Sequence, residues 1–252
     1  PFLAVAALLF VLDRQSVSVQ AQAAATVQAD PLLLPNDPGS LKFAVIGDSG
    51  TGGAAQLRIA RAMAFYRDQY PFSLVLMAGD NMYGSQRPRD YVAKFERPYQ
   101  ALLQQGVQFY AALGNHDSPD QAFYEPFHLN GKRYHTVKLS DLVQLFVLDS
   151  SRLDADQVTW LKSALESSDS PWKFVLLHHP LYSASKRHGS DLAVRRALEP
   201  LLVTNGVAAV FAGHDHVYER KKPQQGITHF VVGNSAKLRK GNLRPDETTA
   251  VG

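Results

Sequence analysis

An α/β fold is predicted for this chain, and two observations carry the prediction. Five apolar runs, LKFAVIGD, FSLVLMAGDNMY, QFYAALGNHD, KFVLLHH and VAAVFAGHDH, are continuous in Val, Leu, Ile and Phe, which is how strands buried on both faces read. Segments with apolar residues at helical spacing lie between them, so strand and helix alternate as in βαβ units. With 252 residues and 45% hydrophobic content, the chain can bury one substantial core, and a single domain is expected.

The elements follow in order. The first strand ends at Gly47. Residues Ala54 to Tyr70 carry Leu57, Ile59, Ala60, Met63, Ala64 and Phe65 at roughly helical spacing, and Asp90 to Gln105 repeats the pattern with Tyr91, Phe95, Tyr99 and Leu102. Tyr134 to Leu139 and Leu142 to Leu148, divided by Ser140-Asp141, read as an antiparallel hairpin, which calls for a second sheet or a mixed one. Asp154 with Gln157 has the form of a capping box opening a helix that runs through Leu165, and Asp191 to Val203 is a further helix. Ile227 to Val232 is a strand. The stretch after it, SAKLRKGNLRPDETTAVG, has no apolar pattern, so at least one more strand or hairpin is expected beyond Gly252.

At the other end, PFLAVAALLFVL followed by Ala21-Gln22-Ala23 has the form of an h-region and cleavage site, clipped at its start because Pro1 follows no basic segment. Residues 1–25 are therefore expected to be a signal peptide, 26–40 a linker, and 41–252 the folded domain, truncated at its C-terminus. The apolar run is too short for a stable membrane span. An exported protein, periplasmic or secreted, is expected. The lack of any N-x-[ST] acceptor with a permitted middle residue favours a bacterial source. The chain has no cysteine, which excludes disulfides, thiolate metal sites and a cysteine nucleophile. Its formal charge of +3 comes from scattered Lys and Arg, so no nucleic-acid partner is expected.

Each apolar run stops at a residue that can bind a metal: Asp48, then Asp80 with Tyr83, Asn115, His178, and His214 with His216. Open α/β sheets place ligand sites beyond the carboxyl ends of their strands, so seven oxygen and nitrogen donors would converge on one edge. Two carboxylates can hold two cations about 3.5–4 Å apart if one of them bridges. Residues two apart in extended chain face the same side, which turns His214 and His216 together and Asp215 away. A single Gly-Asp pair is an ordinary strand end and a lone histidine an ordinary surface or core residue; the five together, in order, are neither. The glycines of GDSGTGG are not a P-loop, because no Lys-[ST] pair follows, and they suit tight backbone near metals. Tyr182, Arg187 and Tyr218 read as an ordinary rim.

GDSG, GDNMY, GNHD, His178-x-Pro180 and GHDH, in this order, resemble the calcineurin-like metallophosphoesterases and, through Tyr83 three residues after Asp80, the purple acid phosphatases of the short, tartrate-resistant type. The likeness runs from Leu41 to Gly233 and includes KRHG at Lys186 to Gly189. It implies two mixed β-sheets packed as a sandwich flanked by helices. It also implies that Asp48, Tyr83 and His216 bind ferric iron, that Asp80 bridges, and that Asn115, His178 and His214 bind a divalent ion, iron, zinc or manganese. A ferric and a divalent ion with two carboxylates, one phenolate and one hydroxide retain a positive charge that would draw a phosphate monoester. The implied reaction is hydrolysis of small phosphorylated substrates by a metal-held hydroxide, with an acid optimum. His116 and His188 are its candidate catalytic residues, as proton donors or phosphoryl contacts, while Asp117 either orients His116 or caps a loop. His178 is preferred to its neighbour His179 because the family ligand lies two residues before the proline. Two alternatives stand beside this reading: a phosphodiesterase or nucleotidase on the same site, and a non-catalytic module that binds phosphate or metal at the cell surface.

Overall fold

The computed structural model describes residues 37 and 39–252. The expected signal peptide and nearly all of the expected linker lie outside the described residues. Strands β1 (Phe43–Ile46), β2 (Leu74–Ala78) and β3 (Gln108–Ala112) form a parallel sheet in the order β1-β2-β3. The second sheet has seven strands in the order β10-β8-β9-β7-β6-β5-β4: β4 (His135–Lys138), β5 (Val143–Val147), β6 (Trp172–Leu176), β7 (Val207–Ala212), β8 (Tyr218–Lys221), β9 (Thr228–Val232) and β10 (Thr249–Val251). Strands β5, β6, β7 and β9 run parallel, and β4, β8 and β10 are antiparallel to their neighbours. Two sheets flanked by helices are thus present, with the mixed character confined to the larger.

Packing follows from the two-residue period of a strand. In the larger sheet Leu145, Val147, Leu176, Ala209 and Phe211 face the smaller sheet and share one core with Ile46, Val75 and Met77. The alternate residues Phe146, Val175 and Val210 face outward, against Leu161 and Leu165 of one helix and Leu198 and Leu202 of another. With helices on the outside and a sheet on the inside, β5 and the carboxyl-terminal parts of β6 and β7 are buried on both faces, which is why they read as apolar runs, whereas Trp172 at the start of β6 is exposed. Ladder pairs Ile46 with Met77, Ala78 with Ala112, and Leu176 with Phe211 bring the strands' carboxyl ends to one level, the level of the donor residues.

Helices α1 (Ala54–Gln69), α4 (Ala155–Glu166) and α5 (Leu192–Thr204) match their sequence expectation within a residue or so. Asp154 and Asp191 cap α4 and α5 by accepting from Gln157 N and from Ala193 and Val194 N. The reciprocal half of the capping box is missing, because the Gln157 side chain bonds Asp149 N and O and the Arg152 carbonyl instead. The helix expected from Asp90 to Gln105 is broken into α2 (Pro88–Tyr91), a π-turn over Val92–Glu96, and α3 (Gln100–Leu103). Pro98 is the cause: it has no N–H to donate, and Arg97 N reaches back five residues to Val92 O at 2.9 Å.

Strands β8 and β10 carried no apolar signal because what β8 buries is charged. Lys221 is fully buried against Glu219 at 2.7 Å and reaches Asp246 at 3.2 Å, while Thr249 Oγ1 donates to Glu219 at 2.6 Å. Among the described residues no helix is long and apolar enough to cross a membrane.

Candidate metal centre

All seven sequence-predicted donors meet at the carboxyl ends of the two sheets. Asp48, Asp80 and Asn115 lie within three residues of the ends of β1, β2 and β3; His178 follows β6, and His214 and His216 follow β7. Strand geometry alone would not turn them together. Asp48, Asp80 and His214 have left-handed φ values of 55°, 51° and 67°, each at the residue after a glycine. That conformation costs a non-glycine residue roughly 1–3 kcal/mol, and it persists where surrounding structure enforces it, as at functional sites. The preceding glycines allow the close approach: a Cβ on Gly79 would stand 2.6 Å from His178 Nδ1, and one on Gly213 would stand 2.7 Å from Asp48 Oδ2.

The donors fall into two triads. Asp48 Oδ1 lies 2.8 Å from the Tyr83 hydroxyl and 3.2 Å from His216 Nε2, and those two are 3.4 Å apart. Asn115 Oδ1 lies 3.0 Å from both His178 Nε2 and His214 Nδ1, which are 3.2 Å from each other. Asp80 Oδ1 is 3.4 Å from His178 Nε2. Donors bound to one ion at about 2.1 Å stand about 3.0–3.4 Å apart in octahedral or tetrahedral geometry, so each triad has the spacing of a shared cation.

The charge state of these groups fits the same occupant. Burial pushes the Asp48 carboxyl up to about 7, with the Asp80 charge adding to it and His178 opposing. Burial and the charges of Asp48 and Asp80 also raise the Tyr83 phenol, so a phenolate here requires a cation beside it. His214 and His216 are held neutral, with lone pairs free to ligate. Burial brings His214 down to about 2, helped by His178, His179 and His188, and brings His216 down to about 4. His178 Nδ1 donates to Ala78 O at 2.9 Å, which fixes the tautomer that leaves Nε2 free to ligate.

A family profile described as calcineurin-like phosphoesterase matches residues 41–218, most of the chain. The chain belongs to that family. Its relatives include Purple acid phosphatase 17 of Arabidopsis thaliana, 26% identical over 82% of this chain and 72% of the relative. Tartrate-resistant acid phosphatase type 5 of Oryctolagus cuniculus is likewise 26% identical, over 80% of this chain and 76% of its own length. The chain spans only 51% and 50% of two further purple acid phosphatases from Arabidopsis thaliana. Among solved structures, GAP50, the anchor in the inner membrane complex of Plasmodium, shares the fold with a TM-score of 0.69 at 18% identity, over 84% of this chain and 77% of that one.

In this phosphoesterase, His116 and His188 border the donor cluster from two sides. The His116 ring lies 4.9 Å from the Tyr83 ring, with Nε2 4.0 Å from Asp80 Oδ2 and its backbone N donating to Asp80 Oδ1 at 3.0 Å. The exposed His188 ring lies 4.4 Å from that of His214. His179 also falls within ligand range of His178 and His214, so position alone admits it as a donor. Its Nδ1, however, pairs with Ser150 Oγ at 3.0 Å, and that hydroxyl also accepts from the amides of His178 and His179. Asp117 does not orient His116. Its buried carboxylate accepts from Asn81 N, Met82 N, Gly114 N and Gln121 Nε2, which ties the GDNMY loop to the GNHD loop.

Ser150, Lys237 and Arg239 complete the surroundings, and no motif marked them. Lys237 Nζ lies 3.8 Å from the centre of the Tyr83 ring, and Arg239 N donates to His216 O at 2.9 Å. A cavity of ≈ 830 Å³ lies away from this centre; Phe43, Trp172, Phe174, Phe211 and Phe230 line it, without any of the seven donors. Two smaller clefts, ≈ 220 and ≈ 290 Å³, border the donor cluster, one at Asn115 and the other at His188 and His214.

Proposed function

We propose that this protein is an exported acid phosphatase that hydrolyses phosphate monoesters on a dinuclear metal centre. The observation that carries the reading is the pair of donor triads, 2.8–3.4 Å within each, with Asp80 within 4.8 Å of Asp48 on one side and of His178 on the other. Asp48, Tyr83 and His216 would hold ferric iron, since a hard phenolate oxygen suits a trivalent ion. Asn115, His178 and His214 would hold a divalent ion, and Asp80 would bridge. When bound, such a pair supplies Lewis acidity toward the phosphoryl oxygens and makes water nucleophilic at neutral or acid pH.

In the reaction, water adds to phosphorus, the P–O ester bond breaks, and inorganic phosphate and an alcohol leave. The chain's own part is to place the ester and to move one proton. His116 Nε2, at the Tyr83 and Asp80 side, and the His188 ring, at the His214 side, would meet phosphoryl oxygens and pass a proton to the departing oxygen, a role their place beside the donors supports. Asp80 Oδ1 holds the backbone of His116, so the position of that ring depends on the same carboxylate as the donor cage.

The test is elemental analysis of purified protein together with turnover of an aryl phosphate and a bis-aryl phosphate. Two ions per chain, a visible absorption band from Tyr83 on iron, and faster monoester turnover are expected. Faster diester turnover would move the assignment to the phosphodiesterase reading, and retained phosphate without turnover would move it to the binding-module reading. A colourless protein fully active with zinc alone would remove the iron.

A further inference from the structure

The rim beside His214 and His216 carries more positive charge than the donor cage uses. Loop 183–190, which holds Arg187 and His188, and segment 235–244 are joined into one ledge: Arg244 N donates to Ala184 O at 3.0 Å, Lys186 N to Asn242 O at 2.8 Å, and Asn242 Nδ2 to Ser185 Oγ at 2.7 Å. The bond from Arg239 N to His216 O fastens this ledge to the cage. Lys186, Arg187, Lys237, Arg239, Lys240 and Arg244 lie on it, and none has an ion-pair partner among the described residues. Of the nearby acids, Glu219 and Asp246 hold Lys221, while Asp215 accepts from Ser183 Oγ at 2.6 Å through Oδ2, forms no ion pair with any of the six cations and leaves its buried Oδ1 unpaired.

Two of the six cations reach the cage itself. Lys237 Nζ stands over the Tyr83 ring, and Arg239 Nη1 is buried with no hydrogen-bond partner. A buried guanidinium N–H without an acceptor is costly, and cations packed beside a cation-binding cage repel it. An anion held between ledge and cage relieves both. The cations fall within two short segments next to the cage, which suits a small anionic group better than a nucleic-acid backbone.

We infer that the ledge is a subsite for a second anionic group of the substrate, with Lys237 and Arg239 as its contacts. The substrates taken best are then monoesters whose leaving group carries a further phosphate. This rests on the phosphatase reading above, with the cage taking the phosphate that is hydrolysed and the ledge the one that is kept.

The experiment compares, on metal-loaded protein, kcat/KM for 1,3-propanediol bisphosphate and for 1,3-propanediol monophosphate. In parallel, calorimetry measures binding of 1,3-propanediphosphonate and of propylphosphonate, which are not hydrolysed. The bis-anionic member of each pair should be favoured about tenfold or more, the share of one charge-assisted hydrogen bond. Lys237→Met and Arg239→Met should each lower that preference several-fold, chiefly through KM. Lys237→Arg should retain most of it, as should Lys162→Met on a distant helix. A wild-type protein that turns over both esters with no preference, or a preference that survives both Met substitutions, overturns the subsite. If the wild type turns over neither ester, the phosphatase reading fails, and the phosphonate pair alone decides the ledge by the same two criteria.

Discussion

The two sheets contribute different chemistry to one site. The loops of the smaller sheet bring Asp48, Asp80, Tyr83 and Asn115, all oxygen donors, whereas those of the larger sheet bring His178, His214 and His216, all nitrogen donors. Each triad draws on both sheets, so neither sheet holds a site by itself. The oxygen half contains two buried carboxylates that repel one another, and burial keeps His214 and His216 of the nitrogen half from supplying the opposing charge. Bonds that join the halves at this edge include His178 Nδ1 to Ala78 O, His214 N to Asp48 Oδ2 at 2.8 Å, Gly47 N to Ser235 Oγ at 3.2 Å and Ser235 N to Gly47 O at 3.3 Å. Cations would supply the missing charge and act as a fastener between the sheets.

The sharpest way to break this pairing is Asp80→Ala, because Asp80 sits beside both triads. Turnover should fall by more than the ~10–100-fold that loss of an outer partner costs a metal site, and metal content should drop below two ions per chain by elemental analysis. A variant that keeps two ions and near-normal turnover would show that the carboxylate is not shared. Chelation should come next in size. With free ion a thousandfold above its Kd, the holoprotein gains about 4 kcal/mol over the stripped protein, roughly 10 °C in Tm. Equal melting curves with and without chelator would mean that the sheets are already joined without ions.

A smaller effect separates histidines of the larger sheet that serve the cage from those that do not. His229 on β9 has neither ring nitrogen paired, and burial lowers its pKa from 6.5 to about 4. The unfolded chain therefore takes up a proton first as pH falls. Stability is complete above about pH 6.5, declines down to about pH 4 and levels off below, by at most roughly 3 kcal/mol. Urea unfolding at pH 7 and pH 4.5 should show a smaller pH difference in His229→Leu than in the wild type. An unchanged difference would place the acid sensitivity elsewhere, with the similarly lowered His135 on β4 as the next candidate.

Much of this was legible in the sequence, for reasons that differ by element. Helix α1, the β4–β5 hairpin and the caps Asp154 and Asp191 are local: spacing and one capping oxygen decide them. The break at Pro98 was also local, but the apolar spacing of Phe95, Tyr99 and Leu102 continues across it. Strands β8 and β10 were missed because Glu219 and Lys221 look like surface residues until their partners are known. Of the site, all seven donors could be named from strand-end motifs. Ser150, Lys237 and Arg239 could not, since no motif surrounds them and their importance comes from where distant chain passes.

The order of apolar runs and the donor closing each one are properties of the sequence alone, because burial on both faces and a polar strand end leave their mark residue by residue. How the donors group into two triads, that both His178 and His179 come within reach of His214, and that a basic, patternless segment lines the rim were decided only by tertiary structure. Those outcomes depend on two sheets packed face to face with their strand ends level, and on three donor residues turned into left-handed backbone, and no local pattern encodes that meeting.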